Sequence, residues 1–219
     1  QSDQAPAGQN HRAWQWQYST PRGPVVFDFQ MSRSREGPKA FLKEFKGILQ
    51  TDAYGAYDSV ITAAMIHAGC WSHVRRKFHD AHQLDPANAA ARDVLERMGR
   101  LYAVEKQARE QKLSAAARQA LRQQSSVTEV SGLKARLQAI RAEVLPGSQL
   151  GKACDYALRI WPRLEVFLTH GQVELDTNLA ENAMRPVALG RKNWLHIGDE
   201  KAGPKIAAIL SVLATCQRL

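Results

Sequence analysis

The sequence has no uninterrupted apolar run of the roughly 18 residues a membrane-spanning helix requires, and its first stretch, QSDQAPAGQNHR, lacks the apolar centre of a signal peptide. Both absences predict a soluble, intracellular protein. Cysteine is scarce: Cys70, Cys154 and Cys216 are odd in number and widely spaced, which argues against a disulfide framework. Acidic residues are in deficit too. The 21 Asp and Glu face 30 Lys and Arg, leaving a net charge of +9 and a pI near 9.7, a balance that suits a polyanionic partner such as nucleic acid, although a chain can be basic without one. Repeats and low-complexity tracts are absent. What is present is length, 219 residues, and 44% hydrophobic composition, enough for a real core and too much for a disordered tail.

Along the chain, HRAWQWQYSTPRGPVVFDFQ reads as a β-hairpin, because Trp14, Trp16 and Tyr18 alternate before the PRGP turn and VVFDF follows it. Phe41, Leu42 and Phe45 suit a short helix, and GIL at 47–49 suits a short buried strand ending at Thr51 and Asp52. YGAYDSVITAAM is compatible with a helix, and IHAGCW with a strand running into the basic segment SHVRRKFHDAH. From about 84 to 150 the chain turns charged, Ala-rich and helical: Val94, Met98, Leu101 and Tyr102 share one helical face, as do Leu133, Leu137, Ile140 and Val144. LPGS breaks the pattern at 145–148, helices resume through Tyr156, Trp161 and Phe167 to His170-Gly171, and IAAILSVLATC predicts a buried final helix. The order implies an α/β core interrupted by an all-helical insertion.

Two carboxylates stand out by position. Asp52 ends a short apolar strand, where side chains of an α/β sheet reach a ligand-binding crevice; by position alone, capping the segment that follows is the simpler reading. Glu181, in NLAENAMRPVALGRKNW, fits a capping box with Asn178 as N-cap and Arg185 as its partner one turn on, while Pro186 should kink or end that helix. Asp52 and Glu181 are also a plausible pair for hard divalent cations, with Arg185, Arg191 and Lys192 holding a phosphodiester. That pairing would serve two-metal phosphoryl transfer, and spacing leaves both readings open. A second constellation, His67, Cys70, His73, His79 and His82, raises a zinc site, but its spacing completes no zinc motif; Cys70 on a buried strand and surface histidines beside RRK explain it better. Arg75, Arg76 and Lys77 are either a solvated helix face or a phosphate track.

Taken together, LQTDAYGAYDSV, HAGCWSHVRRKFHDAH and LDTNLAENAMRPVALGRKNWLHIGDEKAG resemble the DDE transposases of the insertion sequence 66 family, a resemblance that also takes in LYAVEKQARE and LGKACDYALRIWPRLEVFL. It implies a ribonuclease H-like core, a mixed sheet with helices, formed by residues 1–83 and 151–219 and interrupted by a helical insertion at 84–150. The implied chemistry is metal-dependent DNA strand cleavage and strand transfer with two Mg²⁺ (or Mn²⁺) ions. Asp52 matches the family's second acid and Glu181 its final one; Cys70 and His73 match its Cys-x-x-His element, read as structural or DNA-adjacent.

The resemblance further implies Arg75, Arg76, Lys77, Arg185, Arg191 and Lys192 as DNA contacts, a homo-oligomer on DNA, accessory proteins from the same element, and a bacterial cytoplasm with nucleoid association. The family's first Asp finds no match: Asp3 lacks apolar flanks and Asp28 falls in a different strand. A chain beginning with Gln is therefore expected to be a C-terminal portion or a decayed copy, inactive alone and lacking the first core strand. The competing expectations are a DNA-binding remnant without catalysis and a zinc-stabilised DNA-binding regulator built on Cys70 and His73.

Overall fold

The computed structural model describes residues 12–219 except positions 22, 53 and 194; the N-terminal stretch with Asp3, and Trp194 of the last motif, lie outside them. β1 (Trp14–Ser19) and β2 (Val25–Gln30) form the expected antiparallel hairpin, with Trp14 opposite Gln30 and Ser19 opposite Val25. Then come α1 (Glu36–Leu42), β3 (Gly47–Gln50), a 3-10 turn at Gly55–Ser59, and β4 (Met65–Ala68), which pairs parallel with β3. Helices fill the remainder: α2 (Trp71–Leu84), α3 (Ala89–Glu110), α4 (Ala115–Ser125), α5 (Val127–Glu143), α6 (Gln149–Arg159), α7 (Trp161–Thr169), α8 (Asn178–Asn193) and α9 (Gly203–Arg218). Local chemistry sets several starts. Asn88, Ser114 and Ser148 each accept a hydrogen bond from the amide three residues on, capping α3, α4 and α6.

The described residues divide into two compact units, one from 46–54 and 61–177, the other from those up to 45, 55–60 and 178–219. In the larger unit β3, β4 and α2 to α7 enclose one core of Trp71, Phe78, Met98, Leu133, Leu137 and Trp161, among others, each nearly or fully buried. Trp71 meets Trp161 edge to face at 5.6 Å, and its indole N–H donates to the Leu164 carbonyl at 3.1 Å. Thr51, Glu105, Arg118, Arg122 and Ser126 are the buried polar residues among those described. Glu105 and Arg122 are both fully buried, paired through two hydrogen bonds of 2.6 and 2.8 Å.

The smaller unit builds its core from Val25 and Phe27 of β2, Val187 of α8 and Ala207 of α9. α9 lies against β2 through a stripe spaced by four: Gly203 and Ala207 are buried, the Phe27 amide donates to Ser211 Oγ at 2.8 Å, and the Val25 amide donates to Thr215 Oγ1 at 3.0 Å. The small and hydroxyl side chains thus face the hairpin, supplying acceptors that the strand's backbone needs. A Cβ on Gly203 would collide with the Phe29 ring. Gly203→Ala is therefore expected to lower stability by about 1–3 kcal/mol, the usual cost of overpacking, measured by chemical denaturation; an unchanged midpoint would show that the ring gives way freely.

Four local expectations need correction. YGAYDSVITAAM forms a single 3-10 turn and then the start of β4, because Gly55 and the β-branched Val60, Ile61 and Thr62 disfavour a longer helix. Cys70 is buried but lies past β4, as the N-cap residue of α2. α8 runs through Pro186 without ending there, since Ala183, Met184 and Val187 on both sides of it pack into one cluster. IAAILSVLATC is a helix, but Ile209, Val212 and Leu213 are exposed because its packed face is the small-residue stripe.

Candidate functional site

β3 carries the chain to Thr51, which is buried, and then out to Asp52, which is exposed. The end of the strand is fixed from two sides: Gln50 Nε2 donates to the carbonyls of Gly69 and Glu174 at 2.9 and 2.8 Å, and Thr51 Oγ1 lies 2.8 Å from His67 Nε2. Asp52 Oδ1 accepts the Tyr54 amide at 3.1 Å. That is an Asx-turn contact two residues on, not an N-cap contact to a following α-helix. The Asp52 carbonyl accepts from the Tyr156 hydroxyl of α6 at 3.4 Å. Among the described residues its Oδ2 has no hydrogen-bond partner, so this carboxylate offers the hard oxygen donor a divalent cation takes.

Glu181 belongs to the other unit, half-buried in the first turn of α8, where a carboxylate is favoured by the helix dipole. Asn178 is the first helical residue, one position inside the N-cap site assumed for a capping box. Arg185 is exposed and makes no ion pair among the described residues, so the one-turn pairing with Glu181 is not formed. Arg191 and Lys192 are exposed in the last turn, where cations complement the dipole. Arg75, Arg76 and Lys77 are exposed on α2, on the side away from the buried Val74 and Phe78.

Of the five candidate zinc ligands, Cys70 and His73 come together: His73 Nδ1 lies 3.2 Å from Cys70 Sγ. His67 is turned to Thr51, and none of His67, His79 and His82 joins the pair among the described residues. The sulfur instead collects hydrogen-bond partners. Ser72 Oγ lies 3.0 Å away, and Thr177 donates from its backbone N–H at 3.3 Å and from Oγ1 at 3.2 Å. Burial alone would raise the Cys70 thiol, but the hydrogen bonds from His73, Ser72 and Thr177 outweigh it and leave its pKa below the usual value. Sequence reasoning passed over Thr177, although it precedes the Glu181 helix in LDTNLAEN, and it passed over Gln50 of LQTD. It also missed Tyr156, whose only signal was its place in an amphipathic helix.

The two acids thus sit on separate supports: Asp52 on a strand end held by Gln50 and Thr51, and Glu181 on α8. Asp28, the other acid weighed for a first ligand, sits within β2 and accepts from Gln30 Nε2 at 2.8 Å. No helix among the described residues is long and apolar enough to cross a membrane.

The chain is 34% identical to the uncharacterized protein y4qI of Sinorhizobium fredii (strain NBRC 101917 / NGR234) across 96% of its own length and 42% of that relative. It is 34% identical to the uncharacterized protein y4jD of the same organism across 88% of the chain and 39% of that relative. The chain therefore spans about two fifths of the curated relatives it matches. No solved structure matches it. The model of the transposase IS66 family matches residues 3–205, nearly the whole sequence, and the chain belongs to that family.

Proposed function

We propose that this chain is catalytic-core material of a DNA transposase, whose parent protein cleaves DNA strands and joins them to a target by phosphoryl transfer. The observation that carries the reading is Asp52: an exposed carboxylate at the carboxyl end of a parallel strand, anchored by its neighbours, with one oxygen committed to a turn and the other open. Family membership supplies the reaction class. In this reading Asp52 and Glu181 hold Mg²⁺ or Mn²⁺, and their all-oxygen donor chemistry fits such ions. Bound there, the metal would supply Lewis-acid stabilisation of charge on the phosphoryl oxygens. The chain's own cations do the positioning. Arg185, Arg191 and Lys192 on α8 and Arg75, Arg76 and Lys77 on α2 neutralise backbone phosphates.

The architecture we assign is a ribonuclease H-like core with residues 84–150 as a helical insertion, supported by the hairpin, the parallel pair and the long helical block. Such a core needs a further strand bearing the first acid, for which Asp28 is unsuited. Oligomerisation on DNA and contact with helper proteins belong to the same proposal.

A second reading has an observation of its own: the Asx-turn of Asp52 gives that residue a structural role without any metal. It corresponds to a non-catalytic DNA-binding protein. Titrating Mg²⁺ or Mn²⁺ into the chain with labelled DNA separates the two. The catalytic reading expects binding that tightens with metal, and expects Asp52→Asn to lose that response while keeping salt-sensitive binding. Binding indifferent to metal in both proteins would favour the second reading.

A further inference from the structure

Several cations of the larger unit, most of them half-buried, are matched by a carboxylate. Arg97 and Arg136 reach Asp93, Arg100 reaches Glu129, and Arg141 reaches Asp155, all within 3.1 Å. Two are held differently. Lys77 of α2 and Arg159 of α6 are exposed, and among the described residues neither meets a carboxylate. Both lie instead over the ring of Tyr156, at 5.8 and 5.7 Å from its centroid. Lys134 shows the contrast, since it lies over Trp161 at 5.9 Å yet also reaches Glu165 at 3.9 Å.

A cation–π contact fixes where a cation sits without neutralising its charge or consuming all its N–H donors. Tyr156 is itself tied down. Its hydroxyl donates to the Asp52 carbonyl at 3.4 Å. Two exposed, unneutralised cations are thereby fixed beside the strand end that presents Asp52.

We propose that Lys77 and Arg159, held by Tyr156, form a two-pronged seat for one backbone phosphate of a DNA strand passing Asp52. The inference rests on the DNA-processing reading above and adds Arg159 and Tyr156, which that reading did not include. The division of labour suits the two side chains: the guanidinium offers a planar fork to two phosphate oxygens, and the ammonium adds a point charge. Tyr156 is a positioning residue, acting through the two cations.

The test measures fluorescence anisotropy of a labelled DNA duplex with the 219-residue chain across a salt series. Lys77→Gln/Arg159→Gln is compared with Lys106→Gln/Arg109→Gln on α3, which removes the same charge elsewhere on the unit. The seat predicts that the first variant weakens binding about tenfold and flattens the slope of log K against log salt by about 1, one phosphate's worth, while the second stays close to wild type. Tyr156→Leu should reproduce part of that loss and Tyr156→Phe, which keeps the ring, should not. If wild type binds DNA and the two double variants lose affinity equally, the seat is overturned and the DNA reading stands. Absence of salt-sensitive binding by wild type overturns both.

Discussion

Arg122→Ala is expected to cost about 3–5 kcal/mol, enough to unfold a marginal domain, because it takes both short hydrogen bonds from a buried carboxylate and leaves Glu105 only Arg118 Nε at 3.5 Å. Arg122 and Glu105 are both 0% exposed. All five guanidinium N–H donors are spent: two on Glu105, and the others on the carbonyls of Phe167, His170 and Val173, at 2.8, 3.2 and 2.8 Å. The side chain also lies 5.1 Å from the Phe167 ring centroid. One residue of α4 therefore binds α3 to the end of α7 and to the turn beyond it. Two of its acceptors, Phe167 and His170, are carbonyls at a helix C-terminus, which have no partner within the helix itself.

That arrangement decides what a charge-free replacement would do. A buried ion pair can often be exchanged for apolar residues of similar volume at no loss. Here the exchange is expected to fail, because Arg122→Met with Glu105→Leu would leave the buried carbonyls of Phe167 and Val173 without the donor they have now, each costing about 1–3 kcal/mol, while the His170 carbonyl keeps the Val173 amide at 3.0 Å. The double variant should thus remain well below wild type, and Arg122→Lys should also fall short, since one ammonium cannot span both partners. Urea denaturation followed by circular dichroism measures the series. Recovery of wild-type stability in the double variant would show that the pair is an ordinary buried salt bridge and that the carbonyls find water.

The same pair marks the limit of what the sequence made legible. Periodicity located the faces of α3 and α5 well: Val94, Met98, Leu101, Leu133, Leu137 and Ile140 are all at most 1% exposed. It could not single out Arg122, because a charge in a helix such as AAARQALRQQS reads as solvated until the helices packed on both sides of it are known. Packing against a strand distant in sequence hid α9 in the opposite sense. Its apolar residues invited burial, but the strand beside it required hydroxyl acceptors, so Ser211 and Thr215 turned inward and Ile209, Val212 and Leu213 outward. Short elements fared well where turn chemistry was explicit, as in the hairpin around PRGP, and poorly where β-branched residues followed a glycine. For the candidate site, long motifs brought out Asp52 and Glu181, whereas their supports were set by contacts distant in sequence: Gln50 with Glu174, Cys70 with Thr177, and Tyr156 with Asp52.

Removing either acid is expected to have the largest effect on activity. In a full-length parent carrying this segment, Asp52→Ala or Glu181→Ala should reduce strand transfer on the order of 10³-fold or more, since metal-held charge stabilisation contributes several kcal/mol and each 1.4 kcal/mol is about tenfold. Alanine at position 52 also removes the acceptor for the Tyr54 amide, so loss of activity alone would not distinguish a ligand from a turn residue. Asparagine does. Its side-chain oxygen can still accept that amide and hold an Asx-turn, but it carries no charge and is a poorer partner for a hard cation. Asp52→Asn is therefore expected to keep the melting temperature and the salt-sensitive DNA binding of wild type while losing strand transfer as fully as alanine does. Glu181→Gln should likewise lose strand transfer, with the helix-dipole contribution it forfeits in the first turn of α8 worth about 0.3–1 kcal/mol. Strand transfer near the wild-type rate in Asp52→Asn would return Asp52 to a structural role and leave the family's chemistry to other carboxylates.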